Sequence, residues 1–209
     1  MQLLVLIRHG ESKGNTRGIL TGLLNVPLTT VGRQQAEEVG RNIASLGVDF
    51  NTAYSSQLQR SKQTLKILTA QLPKPISVIQ HHHALNERDF GDYTGLNKIS
   101  LQEKLSDSEY IRVIRGWDVR APNGESLKDV QLRVLSYFQS VIMKDLIAGK
   151  NVIISSHHQT LRALVKYIER IEDDEISVLT IKNAEPIIYT FNSVAGLIIR
   201  QHYDFPVAT

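Results

Sequence analysis

The chain has 209 residues and a formal charge of +3, from 24 basic and 21 acidic residues, and 42% of it is apolar. That suffices for one sizeable core and leaves too little net charge to argue for a nucleic-acid partner. Cysteine is absent, which excludes disulfides and thiolate chemistry; no apolar run reaches about 18 residues, so no membrane span is expected, and the cytoplasm is the default location.

Leu3 to Ile7 is a short apolar run that reads as a buried strand. It lacks the basic flank of a signal segment, and Arg8-His9 ends it where a cleavage site would be needed. Gly10 to Asn25 is polar and reads as a loop. A helix is predicted from about Val31 to Leu46, with Thr29 or Thr30 as its N-cap. Thr52 to Ser55 reads as a second strand, and Leu58 to Leu72 as a helix closed by Pro73 and Pro75. Ile76 to Ile79 is a third strand. From Leu85 to Glu125 the pattern weakens to loops with one helix near Lys98 to Ser106, an insertion over one end of the sheet. Ser126 to Ile147 has the period of one long amphipathic helix. Asn151 to Ser155 is β-branched and strand-like, Thr160 to Arg170 helical, and Asp173-Asp174-Glu175 the acidic start of a short helix. Pro186 to Phe191 and Gly196 to Gln201 form a closing hairpin pair. This alternation predicts an α/β fold: a three-layer sandwich around a mostly parallel central sheet, one domain over residues 1–209 with a small lid insertion at about 85–125.

In open α/β sheets, sites form at the carboxyl ends of strands. Two strands here end alike: one runs into Arg8-His9, the other into His157-His158. If they are neighbours, His9 and His157 face each other, and two imidazoles with an arginine can hold a phosphate. His81-His82-His83 invites a metal reading, but adjacent strand residues alternate faces, and no metal is assigned. Trp117 is read as a packing residue.

The segment Leu6-Ile7-Arg8-His9-Gly10-Glu11-Ser12 resembles the signature of the histidine phosphatase superfamily. Thr21-Gly22, Pro27-Leu28-Thr29 and Tyr54-Ser55-Ser56-Gln57-Leu58-Gln59-Arg60 follow in the superfamily's order. Leu85-Asn86-Glu87-Arg88-Asp89-Phe90-Gly91, Gly95-Leu96-Asn97-Lys98, Gly124-Glu125-Ser126-Leu127-Lys128-Asp129 and Leu161-Arg162-Ala163-Leu164-Val165-Lys166 are similar to a narrower branch, the cofactor-dependent phosphoglycerate mutases. The likeness runs over residues 3 to 192.

That resemblance implies a mutase interconverting 3- and 2-phosphoglycerate, primed by 2,3-bisphosphoglycerate, without a metal. His9 would be the nucleophile that becomes a phosphohistidine. Arg8, Arg60 and His157 would surround the phosphoryl oxygens, and Glu87 would serve as general acid and base. Asn15 matches a phosphate-contacting amide. Thr21 and Gly22 match the loop at the substrate carboxylate. Lys98 and Arg115 match residues that hold the rest of the glycerate, and Arg88 falls among the substrate contacts. Members are often dimers or tetramers, so a homodimer is implied. The partner is a small phosphorylated molecule, with no nucleic acid and no membrane.

The chain departs from the branch in its ligand shell. The usual His-Gly-Asn-Ser reads His157-His158-Gln159-Thr160. His158 thus stands for a glycine and Gln159 for a phosphate-binding asparagine. Phe90 stands for a tyrosine, and an Arg-Arg pair becomes Ile114-Arg115. Each change removes or alters a ligand contact, worth roughly 1.5–3 kcal/mol if charge-assisted. A phosphatase acting on small phosphate esters through the same phosphohistidine is therefore the alternative. Read without the resemblance, Glu87 could be a surface acid paired with Arg88, Arg60 could cover a helix start, and Lys98 could be a solvated helix-start lysine.

Overall fold

The computed structural model describes residues 1–203 and 205. Strand β1 spans Gln2–Arg8. A short helix α1, Lys13–Thr16, follows, closed at its start by a capping box between Ser12 and Asn15. Helix α2 spans Thr30–Ala44, with Thr29 as the cap that accepts from the Gly32 amide. Strand β2 is Thr52–Ser55, helix α3 Gln59–Thr69 and strand β3 Val78–His81. The 85–125 segment carries α4, Lys98–Lys104, and α5, Asp107–Tyr110, which runs into a π-helical turn at Ile111–Arg115. Helix α6, Leu127–Tyr137, starts from a Ser126–Asp129 capping box. Helix α7 is Met143–Ile147, strand β4 Val152–Ser156 and helix α8 His158–Glu169. A 3₁₀ turn at Glu175–Val178 leads to strands β5, Pro186–Asn192, and β6, Leu197–Gln201.

The sheet has the order β3-β2-β4-β1-β5-β6. Pairings β3–β2, β2–β4 and β4–β1 are parallel, while β1–β5 and β5–β6 are antiparallel. Strand β5 therefore runs against the rest. The strands supply side chains to both faces in strict alternation. Leu4 and Leu6 of β1, with Val152 and Ile154 of β4, join α6 and α8 in one core. Leu3, Val5 and Ile7, with Ile153, meet α2 and α3 on the other face. Two covered faces explain why the central strands are apolar runs. Among the described residues no helix is long and apolar enough to cross a membrane.

The predicted α/β architecture with a mostly parallel sheet holds, with local differences. The third strand lies two residues later than expected because β2 pairs Thr52 with Val78 and Ser55 with His81. The long helix predicted to 147 is interrupted by a π-helical stretch at Phe138–Ile142. Helix α8 begins two residues early, at His158, directly after the imidazole at the end of β4.

Candidate active site

Strands β1 and β4 are neighbours in parallel register, with Arg8 opposite Ser156. Their carboxyl ends therefore bring His9 and His157 together, at 5.1 Å between ring centroids. Both rings are buried. The Gly10 carbonyl accepts from His9 Nδ1 at 2.7 Å. A carbonyl only accepts, so Nδ1 carries the proton and Nε2 presents a lone pair. Arg60 Nε donates to that Nε2 and also to His157 Nδ1, at 3.2 Å each. His157 must then hold its proton on Nε2, which donates to Ser56 Oγ at 2.7 Å. Burial first, then the charges of Arg60 and Arg8, hold the His9 pKa well below the ordinary imidazole value. His157 is lowered likewise, by burial and then by Arg60.

Close backbone approach shapes the loop that carries His9. A Cβ on Gly10 would lie 2.2 Å from the Gly32 carbonyl oxygen, and one on Gly32 would lie 2.0 Å from that of Glu11. Backbone blocks both positions, so the loop must shift to admit a methyl. Gly32→Ala is expected to cost about 3 kcal/mol or more. In a chain of this size a thermal melt would register that as a fall of roughly 6–12 °C.

A cavity of about 260 Å³ opens at His9, lined by Arg8, His9, Asn15, Ile19, Leu20, Thr21, Glu87, Phe90, Lys98, Tyr110, Ile114, Arg115, His158 and Gln159. Arg8 donates Nη1 to the Ile181 carbonyl at 2.7 Å, while its Nε is buried without a partner among the described residues. Glu87 Oε1 accepts from the backbone of Arg88 at 3.0 Å and of Gln159 at 3.1 Å. Asn15 uses its carbonyl oxygen on the Ser12 backbone, at 2.9 Å, which leaves its NH2 as the end free to meet a ligand. Lys98 opens α4 beneath the Asn97 cap; burial, then the Arg8 charge, lowers its pKa. His158 is pushed down to about 2 by burial and then by Arg8, Arg162, Arg115 and Lys98. It is a neutral ring among cations.

Other expected residues lie elsewhere or are otherwise engaged. Arg88 is fully buried and donates to the carbonyls of Glu125 at 2.6 Å and Val119 at 3.0 Å, with its plane over Phe90. It braces the 85–125 segment and does not line the cavity. Gly22 presents its carbonyl to Arg60 Nη2 at 2.9 Å and stands behind the cavity wall. Arg115 lines the cavity, yet its Nε donates to the Ser177 carbonyl at 2.6 Å and its Nη2 to Thr180 at 3.1 Å. Gln159 also lines it, but its amide is engaged with Ile114 and Arg162. Phe90 and Ile114 belong with Leu20 and Leu101 to a small apolar cluster. Trp117 packs against the main core and under Lys166 Nζ, 4.6 Å from the ring centroid. His82 stacks on Tyr137 at 4.0 Å, and His81 Nδ1 meets Ser55 Oγ at 2.7 Å.

Sequence reasoning missed Ile19, Leu20 and Tyr110 among the lining residues, and the residues that position the site. Ser56 accepts from His157 Nε2 and so orients the ring whose tautomer Arg60 sets. Arg133 of α6 holds the Glu87 loop through the carbonyls of Ala84, Asn86 and Glu87. Arg162 carries the Gln159 contact inward. Ser56 and Arg162 lie inside quoted motifs, whereas Arg133 has the look of any arginine on an amphipathic helix.

Comparison with known proteins places the chain in a family. Residues 4–201 match the family model "Histidine phosphatase superfamily (branch 1)". A protein of Parvibaculum lavamentivorans named 2,3-bisphosphoglycerate-dependent phosphoglycerate mutase is 36% identical over 199 residues, 95% of each chain. One of the same name from Nitrobacter winogradskyi is 36% identical over 93% of this chain and 94% of its own. Among solved structures, Bacillus stearothermophilus YhfR superimposes with a TM-score of 0.82 at 25% identity, over 96% of this chain and 95% of that one. The alpha-ribazole phosphatase of Shigella flexneri, at 22% identity, reaches a TM-score of 0.76 over 96% and 95% of the two chains and shares the fold. The chain belongs to the enzymes of the histidine phosphatase superfamily, branch 1, and within it to the family of the 2,3-bisphosphoglycerate-dependent phosphoglycerate mutases.

Proposed function

We propose that the protein interconverts 3-phosphoglycerate and 2-phosphoglycerate through a phosphohistidine at His9. The observation that carries this reading is the shared Arg60 Nε, which meets His9 Nε2 and His157 Nδ1 at 3.2 Å each. It marks a point where a lone pair, a guanidinium and a second imidazole converge, as in-line phosphoryl transfer requires. As the Arg60 Nε–H turns from His9 Nε2 to a phosphoryl oxygen, Nε2 would attack phosphorus while the ester P–O bond breaks, and Glu87 would protonate the departing oxygen. In the return step Glu87 would take the proton of the accepting hydroxyl as that oxygen displaces Nε2. Arg8 and Arg60 would balance charge on the phosphoryl oxygens, and His157, neutral with its proton on Nε2 toward Ser56, would join them only by taking up a proton on Nδ1.

The buried Arg8 Nε, without a partner among the described residues, and the cations of the lining fit a bisphosphorylated acid as primer. Its contribution when bound is the phosphoryl group that loads His9. Arg8, Asn15 and Lys98 would hold it, with Thr21 toward the carboxylate. In the same reading residues 1–209 act as one domain with 85–125 as the lid, and the enzyme works in the cytoplasm as a homodimer.

The phosphatase reading has its own support. Phe90 and Ile114, at positions where the mutase pattern carries polar groups, lie in one apolar cluster beside the cavity, and Arg115 is spent on carbonyls and Thr180. An ester with an apolar alcohol would suit that wall. One assay separates the two. Given 3-phosphoglycerate with and without 2,3-bisphosphoglycerate, the protein is expected to make 2-phosphoglycerate faster with the primer and to release little free phosphate. Free phosphate without isomer would decide for the phosphatase.

A further inference from the structure

The π-helical turn Ile111–Arg115 supplies Ile114 and Arg115 to the cavity lining, and Gln159 and Arg162 of helix α8 hold the carbonyls of those two residues. Gln159 is 4% exposed and commits both ends of its amide. Nε2 donates to the Ile114 carbonyl at 2.9 Å, and Oε1 accepts from Arg162 Nη1. Arg162, fully buried, extends the chain: its Nη2 donates to the carbonyl of Arg115 at 2.7 Å and also to that of Ile176. The backbone N–H of Gln159 donates to Glu87 Oε1 at 3.1 Å. One residue thus joins the candidate proton donor to the segment that supplies Ile114 and Arg115 to the lining. Asparagine is one methylene shorter, about 1.5 Å, and would not span from α8 to Ile114 while holding Arg162.

We propose that Gln159, braced by Arg162, is a positioning residue that latches the Ile111–Arg115 segment over the phosphohistidine and so limits loss of the phosphoryl group to water. The proposal rests on the phosphohistidine chemistry given above. In the reaction that the latch suppresses, a water oxygen bonds to phosphorus, the Nε2–P bond breaks, Glu87 takes the water proton and inorganic phosphate leaves. Excluding water is what separates transfer from hydrolysis at such a site.

The test uses the full chain and two variants, Gln159→Asn and Gln159→Met, the second keeping volume while removing both hydrogen bonds. Protein labelled from ³²P-2,3-bisphosphoglycerate is given 3-phosphoglycerate, and label reaching phosphoglycerate is compared with label released as phosphate. Amide exchange is followed over Ile111–Arg115 and over β1 and β4. Both variants are expected to raise the ratio of hydrolysis to transfer at least tenfold, and to speed exchange at least tenfold in the turn but not in the strands. A turn that loosens without a change in the ratio would reduce Gln159 to a packing role and overturn the proposal. So would an unchanged turn, or a Gln159→Asn variant that transfers better and hydrolyses less. A wild-type protein that takes no label would instead overturn the phosphohistidine reading, and exchange in the turn would alone decide the latch.

Discussion

Replacing His9 by alanine is expected to remove all acid-labile phosphate from the protein and to lower turnover by roughly four to six orders of magnitude, the scale on which loss of a nucleophile is felt. His9 Nδ1 is tied to the Gly10 carbonyl, so Nε2 faces the point shared with Arg60 and His157. His157, the other imidazole at that point, holds its proton on Nε2 toward Ser56 and, unlike His9, does not line the cavity. Label from a ³²P donor, counted after acid and alkaline treatment, is the measurement; full labelling of the variant would mean another nucleophile. Burial and the Arg60 and Arg8 charges lower the His9 pKa. Labelling of the wild type should therefore persist as pH falls through about 6.5, where a free imidazole becomes protonated. A loss centred there would show an exposed nucleophile.

The second large effect is expected at Glu87. Its Oε1 accepts two backbone N–H groups, from Arg88 and Gln159, and a glutamine carbonyl can accept the same two. Glu87→Gln therefore keeps the loop while removing a proton carrier. Turnover of 3-phosphoglycerate should fall by about 10²–10⁴. 4-Nitrophenyl phosphate, whose leaving group departs without a proton, should phosphorylate the variant within about tenfold of the wild-type rate. Single-turnover labelling with both substrates measures the contrast. Equal losses would assign Glu87 a role in holding the site and not in proton transfer.

Much of this organisation is legible in the sequence, for identifiable reasons. The central strands are buried on both faces, so Leu3 to Ile7 and Val152 to Ile154 stand out as apolar runs, and the histidines that end them mark the crevice. Thr29 and Ser126 announce helices through local hydrogen bonding, which is chemistry within three residues of the cap. What depends on distant partners is not legible. Arg60 and Arg88 are both fully buried, yet one guanidinium ends between two imidazoles and the other among carbonyls of its own segment. Nothing local separates them. The register of β3 is set by pairing with β2. The commitment of Gln159 depends on Ile114, 45 residues away in sequence. The sequence motif marks Gln159 as a changed ligand position; only the fold shows that the longer side chain has found protein partners.

The neutral rings of His9, His157 and His158 link folding to protons. Each has a folded-state pKa below its ordinary value. An unfolded chain would protonate them near about pH 6.5. Below that pH the unfolded chain binds more protons than the folded one, and stability falls as acid is added, by up to about 1.4 kcal/mol per pH unit for each ring. It is fully present above that range. A phosphate ester acts in the opposite sense, because a ligand of the folded state alone stabilises it in proportion to the logarithm of its concentration. The protein's tolerance of acid is thereby tied to the supply of its own substrate.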